Sequence, residues 1–239
     1  MKTLKLGLLA FAAIISISSV QAQTADEIVN KHLEAVGGKA KIAEIKSLRM
    51  ESNFEIMGNT APSITSIVNG KGFRNEMEFG GQKIIQVVTD KSGWMINPMT
   101  GAAAATVLPD EQYKSVKDQI FIGGPLYNYV EKGNKVELVG KEDVKGVSTF
   151  KLKVTTPDNA VYIYNIDTQK YMILKRAVTG EVEGAKFETN TYYSDYRKTD
   201  FGYMVPYKME LELPQITLVS TVTKVEINTP ISESIFNQG

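Results

Sequence analysis

The feature that most constrains this chain is a change in its hydrophobic period. Ile28, Val29, His32, Leu33 and Val36 recur at helical spacing and give one largely apolar face. Thr24 stands where a helix cap belongs, with Glu27 three residues on as in a capping box, and Asp26 and Glu27 suit the positive helix end. Gly37-Gly38 stops the helix, because glycine enters the left-handed conformation without steric penalty. A second short helix is expected over residues 39–46. From Leu48 onward the period is two. Leu48, Met50, Ser52, Phe54 and Ile56 point one way, and Arg49, Glu51, Asn53 and Glu55 point the other. Such a segment buries one face only as a strand.

The strand pattern then continues along most of the chain. Phe73, Asn75, Met77 and Phe79 alternate with Arg74, Glu76 and Glu78, and Gly80-Gly81 turns into residues 83–89. Asp90-Lys91-Ser92-Gly93 makes the next turn, Trp94-Met95-Ile96 opens a strand, and Asn97-Pro98-Met99-Thr100-Gly101 leads to the small-residue strand 102–107. Residues 109–131 interrupt the sheet. Pro109 fits a first helical turn with Asp110 and Glu111 behind it, and Phe121-Ile122-Gly123-Gly124-Pro125 breaks the segment, so it reads as a helical insertion lying across a sheet. Strands are expected again at 135–139, 148–155, 161–166, 171–178, 186–196, 203–213 and 216–227, joined by hairpin-like turns. The order is helix, meander, helical insertion, meander. It predicts an α+β fold: one large curved antiparallel sheet with helices covering its concave face.

The first 22 residues have a different character. Lys2 and Lys5 precede an apolar run at 6–17, and Ser18-Ser19-Val20-Gln21-Ala22 offers small residues for cleavage after Ala22. The run is too short for a membrane span, which needs ~20 apolar residues. The expected organisation is a secretory signal at 1–22 and a single domain at 23–239, located in the periplasm. Gln23 follows the cut, and the chain has no cysteine to lipidate or oxidise. The mature part holds 25 basic and 27 acidic residues. No basic excess points to nucleic acid or to an anionic membrane surface, so neither a nucleic-acid partner nor stable membrane insertion is expected.

Catalytic material is sparse. His32 is the one histidine, so a Ser-His-Asp site would have to be built around it, and no G-x-S-x-G elbow accompanies it. It reads as a helix-surface or partly buried residue. One histidine and no cysteine make a zinc site improbable, and no phosphate-binding glycine loop is present, so no metal, cofactor or catalytic residue is assigned. Asp90, Asp167, Asp195 and Asp200 sit in or near turns, where aspartate bonds local backbone; a carboxylate pair for an envelope hydrolase ranks lowest. Eight tyrosines crowd residues 162–207. Such rows bind flat ligands or sugars, but they also pair across strands, and the structural reading is favoured. The remaining feature is apolar surface. A long sheet under a few short helices leaves either a packed core or a greasy cavity, to which methionines would give adaptable walls.

Four segments resemble the lipoprotein-localisation carrier family, in its outer membrane lipoprotein-sorting branch. They are residues 25–38 with the Gly37-Gly38 stop, 89–98 around Trp94 and Asn97-Pro98, 161–167 ending in Asp167, and 193–206 with Tyr193-Ser194-Asp195-Tyr196 and Gly202-Tyr203-Met204-Val205-Pro206. The resemblance implies an unclosed β-barrel with a helical lid over a hydrophobic cavity, and a non-enzymatic carrier of lipid or lipoprotein acyl chains bound for the outer membrane. The founding carriers' Arg-Pro-x-x-Phe stretch is replaced here by Gly70-Lys71-Gly72-Phe73-Arg74. On this reading Leu48, Met50, Phe54, Ile56, Phe73, Met77, Phe79, Trp94 and Ile96 line the cavity. The alternative is a sensing or partner-binding module for an envelope protein on the same fold.

Overall fold

The computed structural model describes residues 23–56, 58–182, 185–213 and 216–238. The signal-like residues 1–22 lie outside them. Helix α1 (Ala25–Ala35) and helix α2 (Lys39–Glu44) come first. Six strands follow: β1 (Ser47–Ile56), β2 (Asn59–Val68), β3 (Gly72–Phe79), β4 (Gln82–Thr89), β5 (Gly93–Asn97) and β6 (Ala102–Val107). After helix α3 (Asp110–Val116) come β7 (Lys135–Val144), β8 (Val147–Thr155), β9 (Val161–Asp167), β10 (Ile173–Val182), β11 (Ala185–Lys198), β12 (Met204–Leu213) and β13 (Ile216–Ile227).

All thirteen strands form one antiparallel sheet in the order β6-β5-β4-β3-β2-β1-β13-β12-β11-β10-β9-β8-β7. Each meander is sequential, and the pairing of β1 with β13 joins them. The sheet curves but does not close, so β6 and β7 are its two edges. Residues 108–134, which link those edges, must therefore cross a face of the sheet. They do so as α3, a 3-10 turn at Lys117–Ile120 and another at Gly124–Leu126.

Residues opposite each other on neighbouring strands share a face, so the register assigns every side chain to one side. Leu48 pairs with Ile67, Ile67 with Phe73, and Phe73 with Val88. Phe54 pairs with Ser220, Ser220 with Met209, and Met209 with Tyr193. Leu152 pairs with Tyr164, Tyr164 with Arg176, and Arg176 with Thr191. All of these lie on the concave, helix-bearing face. The main core forms where Ile28, Val29, Leu33 and Val36 of α1 meet Leu152, Val154, Tyr162 and Ile166. A smaller core joins Ile45, Leu48, Ile67 and Ile122.

Local chemistry fixes the helices in place. Thr24 and Glu27 form the capping box the sequence predicts. Gly38 N–H reaches back to the Leu33 carbonyl at 2.8 Å with Gly37 and Gly38 both at positive φ, which ends α1. Asn69 is the tie between halves: its amide nitrogen donates to the Ile45 carbonyl at 3.1 Å, and its oxygen accepts from Ile122 N–H at 3.0 Å. The crossing segment is thereby pinned to the start of β1.

Three details differ from the sequence expectation. β2 has no clear apolar alternation, because its concave-face residues Ala61, Ser63 and Thr65 are small or polar and Pro62 interrupts the run. β7 extends to Val144 through an irregularity between Leu138 and Gly140. β10 starts at Ile173, because Tyr171 takes a positive φ and belongs to the turn.

The opposite, convex face carries the C-terminal segment. Phe236 lies over Gly72, where an added Cβ would fall 2.6 Å from the ring. Trp94 Nε1 donates to the Phe236 carbonyl at 3.2 Å, and an Arg74 guanidinium nitrogen donates to the Ile235 carbonyl at 2.7 Å. The Gly72 of the departed family stretch is thus explained by packing: no side chain fits under Phe236. Gly72→Val should cost about 1–3 kcal/mol of overpacking. It should also move the emission of Trp94, the only tryptophan, to longer wavelength. Urea unfolding followed by that emission checks both, and an unshifted spectrum with unchanged stability would contradict the packing.

Candidate functional site

Between α1, the crossing segment and strands β9 to β12 lies a cavity of about 230 Å³. That exceeds an apolar cavity that holds benzene, ~150 Å³, and falls just short of the ~300–1,000 Å³ of most ligand pockets. Leu33, Val36, Phe121, Leu126, Ile173 and Met204 supply its apolar wall. Tyr162, Tyr164, Tyr193, Tyr196 and Tyr203 supply aromatic rings, and Asp118, Gln119 and Arg176 add polar groups.

Each polar group is placed by its element. Arg176 is inward because β10 sets it opposite Tyr164 and Thr191. Among the described residues no carboxylate forms an ion pair with it, and its Nε is buried without a hydrogen-bond partner. Asp118 and Gln119 come from the crossing segment, opposite the sheet. Asp118 Oδ2, Gln119 Oε1 and the Tyr162 hydroxyl are likewise buried and unpartnered. Tyr162 and Asp118 approach each other, but neither atom closes a bond of good geometry. Each such orphan costs about 1–3 kcal/mol. Burial pushes the Asp118 carboxyl above its usual range, against the pull of Tyr162, Lys132 and Lys117. Burial also pushes the Tyr162 and Tyr164 hydroxyls up, and takes Tyr203 up to about 12. All of these phenols are protonated at neutral pH.

His32 borders the cavity at 5% exposure, more deeply buried than its sequence position implies. Its Nδ1 lies 2.8 Å from the Tyr171 carbonyl. A carbonyl only accepts, so Nδ1 carries the proton. Burial lowers the His32 pKa, and the bond to Tyr171 partly opposes this. The positive φ of Tyr171 turns that carbonyl toward the helix.

The structure divides the nine residues expected to share one lining. Leu48, Met50, Phe54, Ile56, Phe73, Met77 and Phe79 lie on the concave face. Leu48 is in the smaller core, with Met50 and Phe73 packed against it. Ile56 is buried, while Phe54, Met77 and Phe79 are half-buried. Trp94 and Ile96 stand on the convex face instead, paired with Val87 and Ile85, and face a groove beneath Ile235. None of the nine touches this cavity. Phe54 leads toward it, through Ser220 to Met209 and then Tyr193, which is part of the cavity wall. Met209, Leu211 and Leu218 are also half-buried on this face, so a strip of apolar side chains, the trough, continues from the cavity wall.

Arg176 was not signalled by any motif. Its one mark in the sequence is a charge at an inward position, two residues from Val178 in a strand whose partners are Tyr162 and Tyr164. The tyrosine crowd splits in a similar way. Five rings face the cavity, whereas Tyr192 packs with Lys145 and Lys175, and Tyr207 with Arg197. Among the described residues no cluster of acidic and histidine side chains suits a metal ion, and no helix is long and apolar enough to cross a membrane.

A buried neutral histidine destabilises the fold as pH falls, because only the unfolded chain gains the proton readily. The loss begins near the unfolded pKa of about 6.5 and grows until the lowered folded value is passed. Urea midpoints at pH 7.5 and 5.5 should therefore differ in favour of pH 7.5, and His32→Gln should flatten the difference. An equal slope in both proteins would show that His32 is not the titrating group.

No family model and no curated protein matches the sequence. Solved structures do. The chain aligns with a DUF1329 family protein from Desulfovibrio piger at TM-score 0.58 and 12% identity, over 90% of this chain and 98% of that one. It aligns with a LolA superfamily protein from Nitrosomonas europaea at 0.59 and 12%, over 90% and 98%. A domain assigned to the outer membrane lipoprotein-sorting proteins of Vibrio parahaemolyticus gives 0.55 and 14%, over 89% and 97%. At such identities the likeness concerns the fold, and it spans nearly the whole of each chain. The family resemblance of the sequence thus has its structural counterpart: the chain has the unclosed-barrel fold of LolA superfamily and lipoprotein-sorting proteins.

Proposed function

We propose that the chain is an exported, non-enzymatic lipid-binding protein of the cell envelope, carrying acyl chains of lipids or lipoproteins across the periplasm toward the outer membrane. The observation that carries this reading is the continuity of cavity and trough. Tyr193 at the cavity wall pairs with Met209, and the same face carries Leu211 and Leu218 beside it and, across Ser220 and β1, Phe54 and Met77, all left half-buried. Water is a poor solvent for such a strip, and an acyl chain laid along it gains about 0.8 kcal/mol per buried methylene. No catalytic group is needed for that. The fold it shares with LolA superfamily structures supports the same reading.

Two experiments test it. Delipidated protein should take up a fluorescent fatty-acyl probe, and Phe54→Asp or Met77→Asp should weaken uptake at least tenfold while the protein still unfolds in urea as a single cooperative transition, since both side chains are half-buried. Absence of uptake by the native chain would leave the partner-binding alternative. Export is tested by expression of the full chain in a Gram-negative host, where the periplasmic product should begin at Gln23. A product that keeps residues 1–22 would contradict the signal.

A further inference from the structure

The polar end of the cavity has more chemistry than an acyl chain requires. Four residues that line it each carry a buried atom without a hydrogen-bond partner: Arg176 Nε, which donates; Asp118 Oδ2 and Gln119 Oε1, which accept; and the Tyr162 hydroxyl, which does both. They come from opposite sides, Arg176 and Tyr162 from the sheet and Asp118 and Gln119 from the crossing segment. Native folds leave few buried polar atoms unpartnered, so four in one space mark a place where a ligand completes the bonding.

The donor and acceptor pattern says which ligand. A carboxylate or phosphate head brings acceptors only. It would satisfy Arg176 and Tyr162 but would face Asp118 Oδ2 and Gln119 Oε1 with nothing to donate. The charges that line the cavity, Arg176 and Asp118, oppose each other, so an anion drawn to Arg176 also meets the Asp118 carboxylate. Lys117 is paired with Asp158 at 2.6 Å, and Lys132, which donates to the Gly124 carbonyl at 2.9 Å, keeps its charge and acts on Asp118. A neutral head with two hydroxyls and one carbonyl matches all four atoms: one hydroxyl donates to Asp118, the other donates to Gln119 and accepts from the Tyr162 hydroxyl, and the carbonyl accepts from Arg176. The small volume, about 230 Å³, admits such a head and the first carbons of its chain. Resting on the lipid-binding reading above, we propose that Arg176, Asp118, Gln119 and Tyr162 form a head-group site for an uncharged, hydroxyl-bearing single-chain lipid of the monoacylglycerol class. Its tail leaves past Tyr193 over Met209 into the trough.

Titration calorimetry below micelle-forming concentrations separates the possibilities with three probes of one chain length: monolauroylglycerol, lauric acid and methyl laurate. The native protein should bind monolauroylglycerol at least tenfold more tightly than either other probe, since the head's bonds reach buried, partly charged partners. Gln119→Leu should remove that margin and leave methyl laurate affinity unchanged, which also shows that the variant is folded, whereas Arg176→Met, which loses the partner of the carbonyl both esters carry, should weaken monolauroylglycerol and methyl laurate alike. Asp118→Asn, which turns an acceptor into a donor, should raise lauric acid affinity. Equal binding of the three probes, or a preference of the native protein for lauric acid, would overturn the head-group site while the lipid-binding reading stands. Failure of all three to bind overturns that reading as well.

Discussion

The ladder between β1 and β13 is the contact on which the rest depends. It joins the first strand of the chain to the last, so two sequential meanders become one sheet with β6 and β7 at opposite edges. The residues between those edge strands then have no short route. They must run across the sheet, and they run across its apolar face because that is the side on which Ile120, Ile122 and Leu126 find burial. The cover over the cavity is therefore a consequence of topology rather than an added module. Asn69 sets its height by bonding both α2's end and the crossing chain.

That cover is incomplete by construction. Two short helices and one crossing segment fill the space over β8 to β10, where Leu152, Val154 and Ile166 are fully buried. They leave the far end of the concave face, around Phe54, Met77 and Leu211, only half shielded. Between the two lies the pocket with its unpartnered polar atoms. The gradient from dry core through polar pocket to open apolar strip is what a reversible lipid site needs: a fully packed interior would leave no room, and a fully open sheet would aggregate. The convex face solves its own exposure differently, with Phe236 and Ile235 laid over Gly72 and Trp94.

Much of this was legible in the sequence where alternation is clean. In β1 and β3 every second residue is polar, so both faces are assigned from the residues alone. The capping box of α1 and its Gly37-Gly38 stop were equally plain. The reading loses its grip where the physical signal is missing. β2 puts Ala61, Ser63 and Thr65 on the inner face, side chains too small or polar to mark a buried row. Trp94-Met95-Ile96 is apolar at three successive positions, so its parity is set only by pairing with β4, which sends Met95 inward and Trp94 out. Arg176 looks like any strand arginine until β9 places Tyr162 and Tyr164 beside it.

The central claim, that the concave face of this fold holds a lipid, is tested most directly by native mass spectrometry of protein purified gently from the periplasm. A lipid carrier should appear with an added mass of a single-chain lipid that is lost on mild activation, and the same mass should be absent from Phe54→Asp protein. Protein that flies only at its bare mass, with or without that substitution, would contradict lipid carriage.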